Sequence, residues 1–192
     1  PRYTPQTATG LLIAAKNSDP ETAISYCHQA IALRPRWYLP YYLLGKLTAD
    51  EEMLRTAFLQ CSDDAFEICL QALCENLLAQ NKVESVGQLL EMYPDNRPQY
   101  HIQQTIWYLH TSPSDAFPYL DSILQNLGPN ERFQILIYLY EQTQKLPNAH
   151  LVWAYLAQET PFWGSPLQTL AGYYLHHKQT EKARKILERL VI

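Results

Sequence analysis

Four cysteines, at positions 27, 61, 69 and 74, are the most nucleophilic side chains in the sequence. Two thiols spaced C-x-x-C would point to redox chemistry or zinc, and no such pair is present. Cysteine packs as a small hydrophobe, so these thiols are expected to be buried and free, as in a reducing compartment. His176 and His177 are the next candidates. Successive residues on a helix point about 100° apart and cannot chelate one ion together. At the end of a helix, where a pattern of apolar residues places them, a cationic ring instead suits the dipole. The acidic pairs Glu51-Glu52 and Asp63-Asp64 could imitate a catalytic dyad. Each falls at a predicted helix start, where acids offset the positive end of the dipole. No Walker A loop, GxGxxG, GxSxG or H-E-x-x-H element occurs. The expectation is no catalytic, metal or cofactor site in this chain.

Fourteen tyrosines and four tryptophans could build a stacking platform for bases. A net charge of −4 removes the general electrostatic reason to bind nucleic acid or an anionic membrane. The locally basic stretch Lys178–Arg189 places its charges on the polar side of an amphipathic helix. Neither a long uncharged apolar span nor a signal-peptide pattern is present, so the chain reads as soluble and cytoplasmic. Its start at Pro1-Arg2, without a methionine, reads as a piece of a longer polypeptide.

The elements that position these residues are helices. Hydrophobic residues make up 47% of the chain, enough for a continuous core, and six glycines with few alternating β-branched runs argue against sheets. Between Pro20 and Leu47, Ala23, Cys27 and Ala30 share one helical stripe that stops near Arg34-Pro35, because proline lacks an N–H and disfavours helix before it. Tyr41-x-x-Leu44-Gly45 then puts a ring, a leucine and a gap on one face of the next helix. Small residues recur in register: Ala23, Ala57, then Ala116, Ala149 and Ala183; the unit of Ala57 and Cys61 is clipped, ending at Ser62-Asp63-Asp64 without a proline, and the missing marker of the next unit falls at Lys82. Asp19 is a predicted N-cap with Pro20 in the first turn, and Asp64 a predicted cap further on. Packing stripes are expected at Phe66, Cys69, Leu70 and Leu73; at Val83, Val86, Leu89 and Leu90, stopped by Pro94; at Tyr100 and Trp107; and at Ala116, Leu120 and Ile123, closed by Gly128-Pro129. Two more pairs follow: Phe133, Leu136, Ile137 and Tyr140 with Ala149, Trp153 and Leu156, stopped by Pro161, and Leu167, Leu170, Ala171 and Tyr174 with Ala183, Leu187 and Leu190.

The small-x3-large-x2-small pattern with its closing proline, followed by aromatic-x2-Leu-Gly, resembles the tetratricopeptide repeat. That resemblance covers residues 6–192. It implies an all-α chain: a right-handed α-solenoid of about six antiparallel helix pairs, one shortened, in a single domain after an extended segment at 1–5. In that family the first helices line a concave surface that receives a peptide. The implied function is a protein–protein interaction scaffold without catalysis. A second reading is the N-terminal repeat module of a longer enzyme, for example a glycosyltransferase, recruiting substrate proteins.

First-helix residues pointing away from the packing stripes would line the binding face. They are Tyr42 and Lys46, Glu67 and Gln71, His101 and Thr105, Gln134 and Tyr138, and Gln168. Lys46 is the only cation among them. The carboxylate-clamp members of the family use Lys and Asn at such places to hold a peptide's C-terminal acid, so an acidic tail is not the expected ligand. Amides, hydroxyls and rings suit a neutral or weakly basic peptide. The apolar end Leu187, Leu190, Val191 and Ile192 carries no polar closing helix, and it is expected to be covered by further residues or by self-association.

Overall fold

The computed structural model describes residues 6–144, 146 and 148–190. The expected extended segment at 1–5 and the terminal Val191 and Ile192 lie outside the described residues. Among the described residues there are twelve α-helices, one 3-10 turn at Asp63–Ala65, and no strand. The helices are α1 (Ala8–Lys16), α2 (Pro20–Leu33), α3 (Tyr38–Thr48), α4 (Glu51–Gln60), α5 (Phe66–Ala79) and α6 (Val83–Met92). They continue as α7 (Pro98–Thr111), α8 (Pro113–Leu124), α9 (Pro129–Thr143), α10 (Ala149–Glu159), α11 (Gly164–His176) and α12 (Thr180–Glu188). Packing divides the chain into two compact units, between Gln103 and Gln104, so α7 contributes to both.

Local chemistry explains the helix starts. Asp19 Oδ1 accepts from the Thr22 N–H at 3.0 Å with Pro20 at the first helical position. Thr7 Oγ1 caps α1 through the Gly10 N–H at 3.1 Å, and Asp50 Oδ1 caps α4 through the Met53 N–H at 3.1 Å. Such caps contribute about 1 kcal/mol each. Three turns inside hairpins use a left-handed residue that is not glycine: Ala49 (φ 54°), Asn81 (φ 59°) and Lys178 (φ 58°).

In the first unit each helix packs on the next in sequence, α1 through α6. Leu11, Leu12 and Ala15 of α1 meet Ala23, Cys27 and Ala30 of α2 and Leu44 of α3 in one buried cluster. A fully buried leucine contributes roughly 1.5–3 kcal/mol. The gap at Gly45 is filled by α4: a Cβ there would stand 2.7 Å from Leu54 Cγ and 3.0 Å from the Leu54 backbone nitrogen. Arg97 ties the start of α7 to the 3-10 turn. Its guanidinium pairs with Asp95 at 2.9 Å, donates to the Asp63 carbonyl at 2.7 Å and lies over the Phe66 ring at 4.1 Å.

In the second unit, α9 packs on α10, α10 on α11 and α11 on α12. Ala157, Leu167 and Leu170 are buried together, with Trp153, Tyr174, Ile186 and Leu190 against them. The Tyr155 hydroxyl donates to Asp121 Oδ1 at 2.5 Å and its ring stacks on Phe117 at 4.7 Å, joining α10 to α8. Burial and the adjacent Asp121 carboxylate push the Tyr155 phenol above its ordinary range. Arg189 donates to the Ala157 carbonyl, fastening the end of α12 to α10. The outward face of α12 is charged: Lys182, Arg184, Lys185 and Glu188 are exposed, and Leu187 is its one exposed apolar side chain among the described residues.

Several positions differ from expectation. Asp64 does not cap α5; it sits inside the 3-10 turn, and the residue preceding α5 is Ala65, with no side-chain cap. Lys82 is an exposed residue before α6, paired with Glu51 at 2.6 Å, and the inward place belongs to Val86, four residues on. Gly128 and Pro129 open α9 rather than close α8. On α9 the buried stripe is Ile135, Leu136, Leu139 and Thr143, and Phe133 is exposed.

Candidate functional site

The expected binding residues fall on first helices of successive hairpins, and the structure treats them unequally. In the first unit, Lys46 of α3 and Gln71 of α5 converge on one carboxylate. Lys46 Nζ lies 3.3 Å from Glu75 Oε2, and Gln71 Nε2 donates to Glu75 Oε1 at 2.7 Å. Tyr42 and Glu67 stand one turn earlier on the same helices and are half-buried. Both partners of the ion pair are near half exposed, which limits its worth to about 1 kcal/mol or less. Its chemical effect matters more: the single cation of this face already has a counter-charge. Glu75 was not among the expected residues. Its signal was its place four residues after Gln71, on the same side of α5.

On α7 the expected face is wrong by part of a turn. Thr105 is fully buried, together with Ile102, Gln103, Ile106 and Leu109. Ile102, Ile106 and Leu109 form the apolar stripe, and Thr105 lies between them at i+3 from Ile102 and i−4 from Leu109. Thr105 is thus removed from the candidate surface. His101 is half-buried, and burial holds its imidazole below the ordinary value, opposed by a hydrogen bond to the Asn96 backbone and by Asp95. Tyr100, expected to define the stripe, sits beside it and donates from its hydroxyl to the Leu90 carbonyl at 3.0 Å.

In the second unit Gln134 and Tyr138 of α9 and Gln168 of α11 are all exposed. Tyr140 bonds through its hydroxyl to Thr169 Oγ1 at 2.8 Å. Its ring meets Trp163 edge-on at 5.1 Å, and Phe133 meets the same indole at 5.6 Å. Phe162, next to Trp163, is completely exposed. Phe162 and Trp163 escaped the sequence reading, yet a signal was present. Pro35-Arg36-Trp37-Tyr38-Leu39-Pro40 and Pro161-Phe162-Trp163-Gly164-Ser165-Pro166 share the pattern Pro-x-Trp-x-x-Pro. Both form the same turn. The Trp37 N–H donates to the Arg34 carbonyl at 3.2 Å and the Trp163 N–H to Thr160 at 3.0 Å, each tryptophan is the N-cap residue, and each second proline is buried in the first turn of the helix.

No group of three or more metal-ligating side chains occurs among the described residues. His177 is the C-cap residue of α11, with Nδ1 2.9 Å from the Tyr173 carbonyl. Its ring lies 4.1 Å from that of Tyr173, and His150 of α10 stacks on Tyr173 at 4.6 Å. Burial, and then the charge of His177, hold the His150 imidazole below its ordinary value, and its buried Nδ1 has no hydrogen-bond partner. Glu51, in the first turn of α4, pairs with Arg55 at 2.8 Å and with Lys82. Those two cations hold its carboxyl below the usual range. Between α4 and α6 a cavity of about 150 Å³ is lined by Phe58, Leu73, Leu89, Met92 and Tyr93 among others. No described helix is long and apolar enough to cross a membrane. The chain matches no protein-family model, and no curated protein is significantly similar to it.

Proposed function

We propose that this chain is a protein-interaction module of the tetratricopeptide type, a right-handed solenoid of six helix pairs that binds a peptide segment of a partner protein. The observation that carries the reading is the set of exposed amide and phenol groups on the first helices of consecutive hairpins: Gln134 and Tyr138 on α9 and Gln168 on α11. Support also comes from the Gly45–Leu54 approach, a small-against-large contact at the Leu-Gly position of the repeat pattern. Amides offer donors and acceptors to an extended backbone, and an exposed phenol offers a ring and a hydroxyl. With Lys46 matched by Glu75, the ligand is a neutral or weakly basic segment rather than an acidic tail.

The test begins with proteins recovered from native lysate and continues with the affinity of each purified partner. Gln134→Ala combined with Tyr138→Ala should leave the fold intact, because exposed positions cost less than about 0.5 kcal/mol. Affinity should fall at least tenfold, about 1.4 kcal/mol. An unchanged affinity in a folded double variant removes α9 from the binding site.

A further inference from the structure

Among the described residues, the three most exposed large apolar side chains are Phe162, Met92 and Leu59, at 101%, 68% and 67%. They belong to two complementary shapes, each complete within its own unit. Phe162 is a knob. It is the third residue of the turn from Thr160 to Trp163, which the Trp163 N–H closes by donating to the Thr160 carbonyl at 3.0 Å. Before it, the ring of Pro161 fixes a backbone angle. After it, the Trp163 indole is held edge-on by Phe133 and Tyr140. The phenyl therefore stands in solvent on a backbone pinned at both sides. Nothing in the turn itself calls for a ring there, since the matching place in the turn from Arg34 to Trp37 holds Arg36.

Met92 and Leu59 mark the hole. Both line the cavity of about 150 Å³ between α4 and α6 yet stay exposed, which places them at its mouth, with Phe58, Leu73, Leu89 and Tyr93 in its wall. A cavity of about 150 Å³ lined by leucine, isoleucine and phenylalanine takes up benzene, so this volume suits one phenyl ring. The lining offers such a ring specific contacts. A thioether favours the edge of an aromatic ring. Phe58 and Tyr93 already meet edge-on at 5.1 Å and extend an aromatic cluster. Arg55, also in the lining, brings a guanidinium that attracts a ring face.

We propose that Phe162 of one copy docks in the α4–α6 cavity of a second copy of this chain. An aromatic anchor seated in an apolar pocket is the usual centre of a protein–protein contact. The turn from Thr160 to Ser165 carries no charged residue, so its insertion strips no ion of water. Its fixed backbone also leaves little freedom to lose on docking. Knob and hole are different surfaces, so the contact is heterologous: each copy can give one ring and accept one. A single anchor makes a weak contact, and association therefore builds with concentration.

The experiment is sedimentation velocity from micromolar to millimolar concentration. The weight-average coefficient of the unsubstituted chain should rise across that range. Phe162→Ala should hold it at the value of a single chain, and so should Met92→Glu, which puts a charge at the cavity mouth. The decisive sample mixes these two variants. One keeps the hole and the other keeps the ring, so together they should form a complex of two chains and nothing larger. Both positions are exposed, and circular dichroism checks each fold; Leu59→Glu takes the place of Met92→Glu should that variant unfold. An unsubstituted chain that stays monomeric at millimolar concentration overturns the proposal. So does association that survives Phe162→Ala, or a mixture of folded variants that remains monomeric.

Discussion

In α3 and α4 two helices touch through a missing side chain, whereas α10 and α11 touch through stacked rings. At Gly45 the absence of a Cβ lets Leu54 approach to a distance that no larger residue permits. Between His150, Tyr173 and His177 the contact consists of flat aromatic faces with polar atoms at their edges. The first arrangement responds to volume. The second responds to protonation.

The largest expected effect is therefore Gly45→Val. Its Cβ meets both a side chain and the backbone nitrogen of Leu54, so no rotamer change relieves the clash. Overpacking of this kind costs roughly 1–3 kcal/mol. A denaturant midpoint equal to that of the unsubstituted chain would show that α3 and α4 do not touch here.

The next effect depends on pH. The folded state holds the imidazole of His150 below the value of 6.5 that an unfolded chain shows. Its stabilising contribution is thus complete above that value and is lost as pH falls through it toward the folded value. His101 in the first unit follows the same sign, but its Asn96 and Asp95 contacts oppose the burial. Hydrogen exchange should therefore rise on acidification both in α10 and α11 and at the start of α7. His150→Phe should flatten that dependence. Exchange in α10 and α11 that does not respond to acidification would remove His150 as the responsive group.

Smaller again is Gly172→Ala. Gly172 is exposed within α11, and a Cβ there would meet nothing within 4 Å. The substitution should stabilise the chain by roughly 0.5–1 kcal/mol, because alanine is the better helix former. A loss of stability in thermal melts would mean that the two glycines serve the same purpose.

The last of these effects tests strain in the turns. Ala49 adopts the left-handed conformation at the end of α3, and Asn76 Nδ2 donates to its carbonyl at 3.0 Å. Ala49→Gly removes the Cβ penalty in the folded state but loosens the unfolded chain. The net change should be a gain below about 1 kcal/mol, read as a small rise in the melting midpoint.

What was legible in the sequence was what acts locally or by size. Asp19, Pro20 and the Glu51-Glu52 pair mark helix starts because caps, prolines and first-turn acids act within one turn, and Ala23, Cys27, Ala30, Ala57 and Ala183 are buried as their spacing required. Rotation about the helix axis was harder to read. On α7 and α9 the aromatics Tyr100, Trp107, Phe133 and Tyr140 were placed on the stripe, yet Phe133 is exposed and the others are only half-buried. A tyrosine can bury its ring while its hydroxyl reaches a carbonyl or the solvent, so it sits comfortably at the edge of a stripe. Ile102, Ile106 and Leu109 have no such option, and they were the better guide. The binding face inherited this error at Thr105. Glu75 was missed because its importance depends on Lys46, a residue on another helix.

The order in which the helices pack has a kinetic consequence. Within each unit the most extensive packing is between helices that are neighbours in the chain, linked by turns of a few residues. Little loop entropy is lost before each contact forms, and topologies rich in such local contacts fold in microseconds to milliseconds. A hairpin such as α1 with α2 can close while later residues are still being synthesised, since its partners have already been made. Once the ribosome has moved far enough past Leu47 for that residue to leave the exit tunnel, the nascent chain can assemble most of the Leu11–Leu44 cluster.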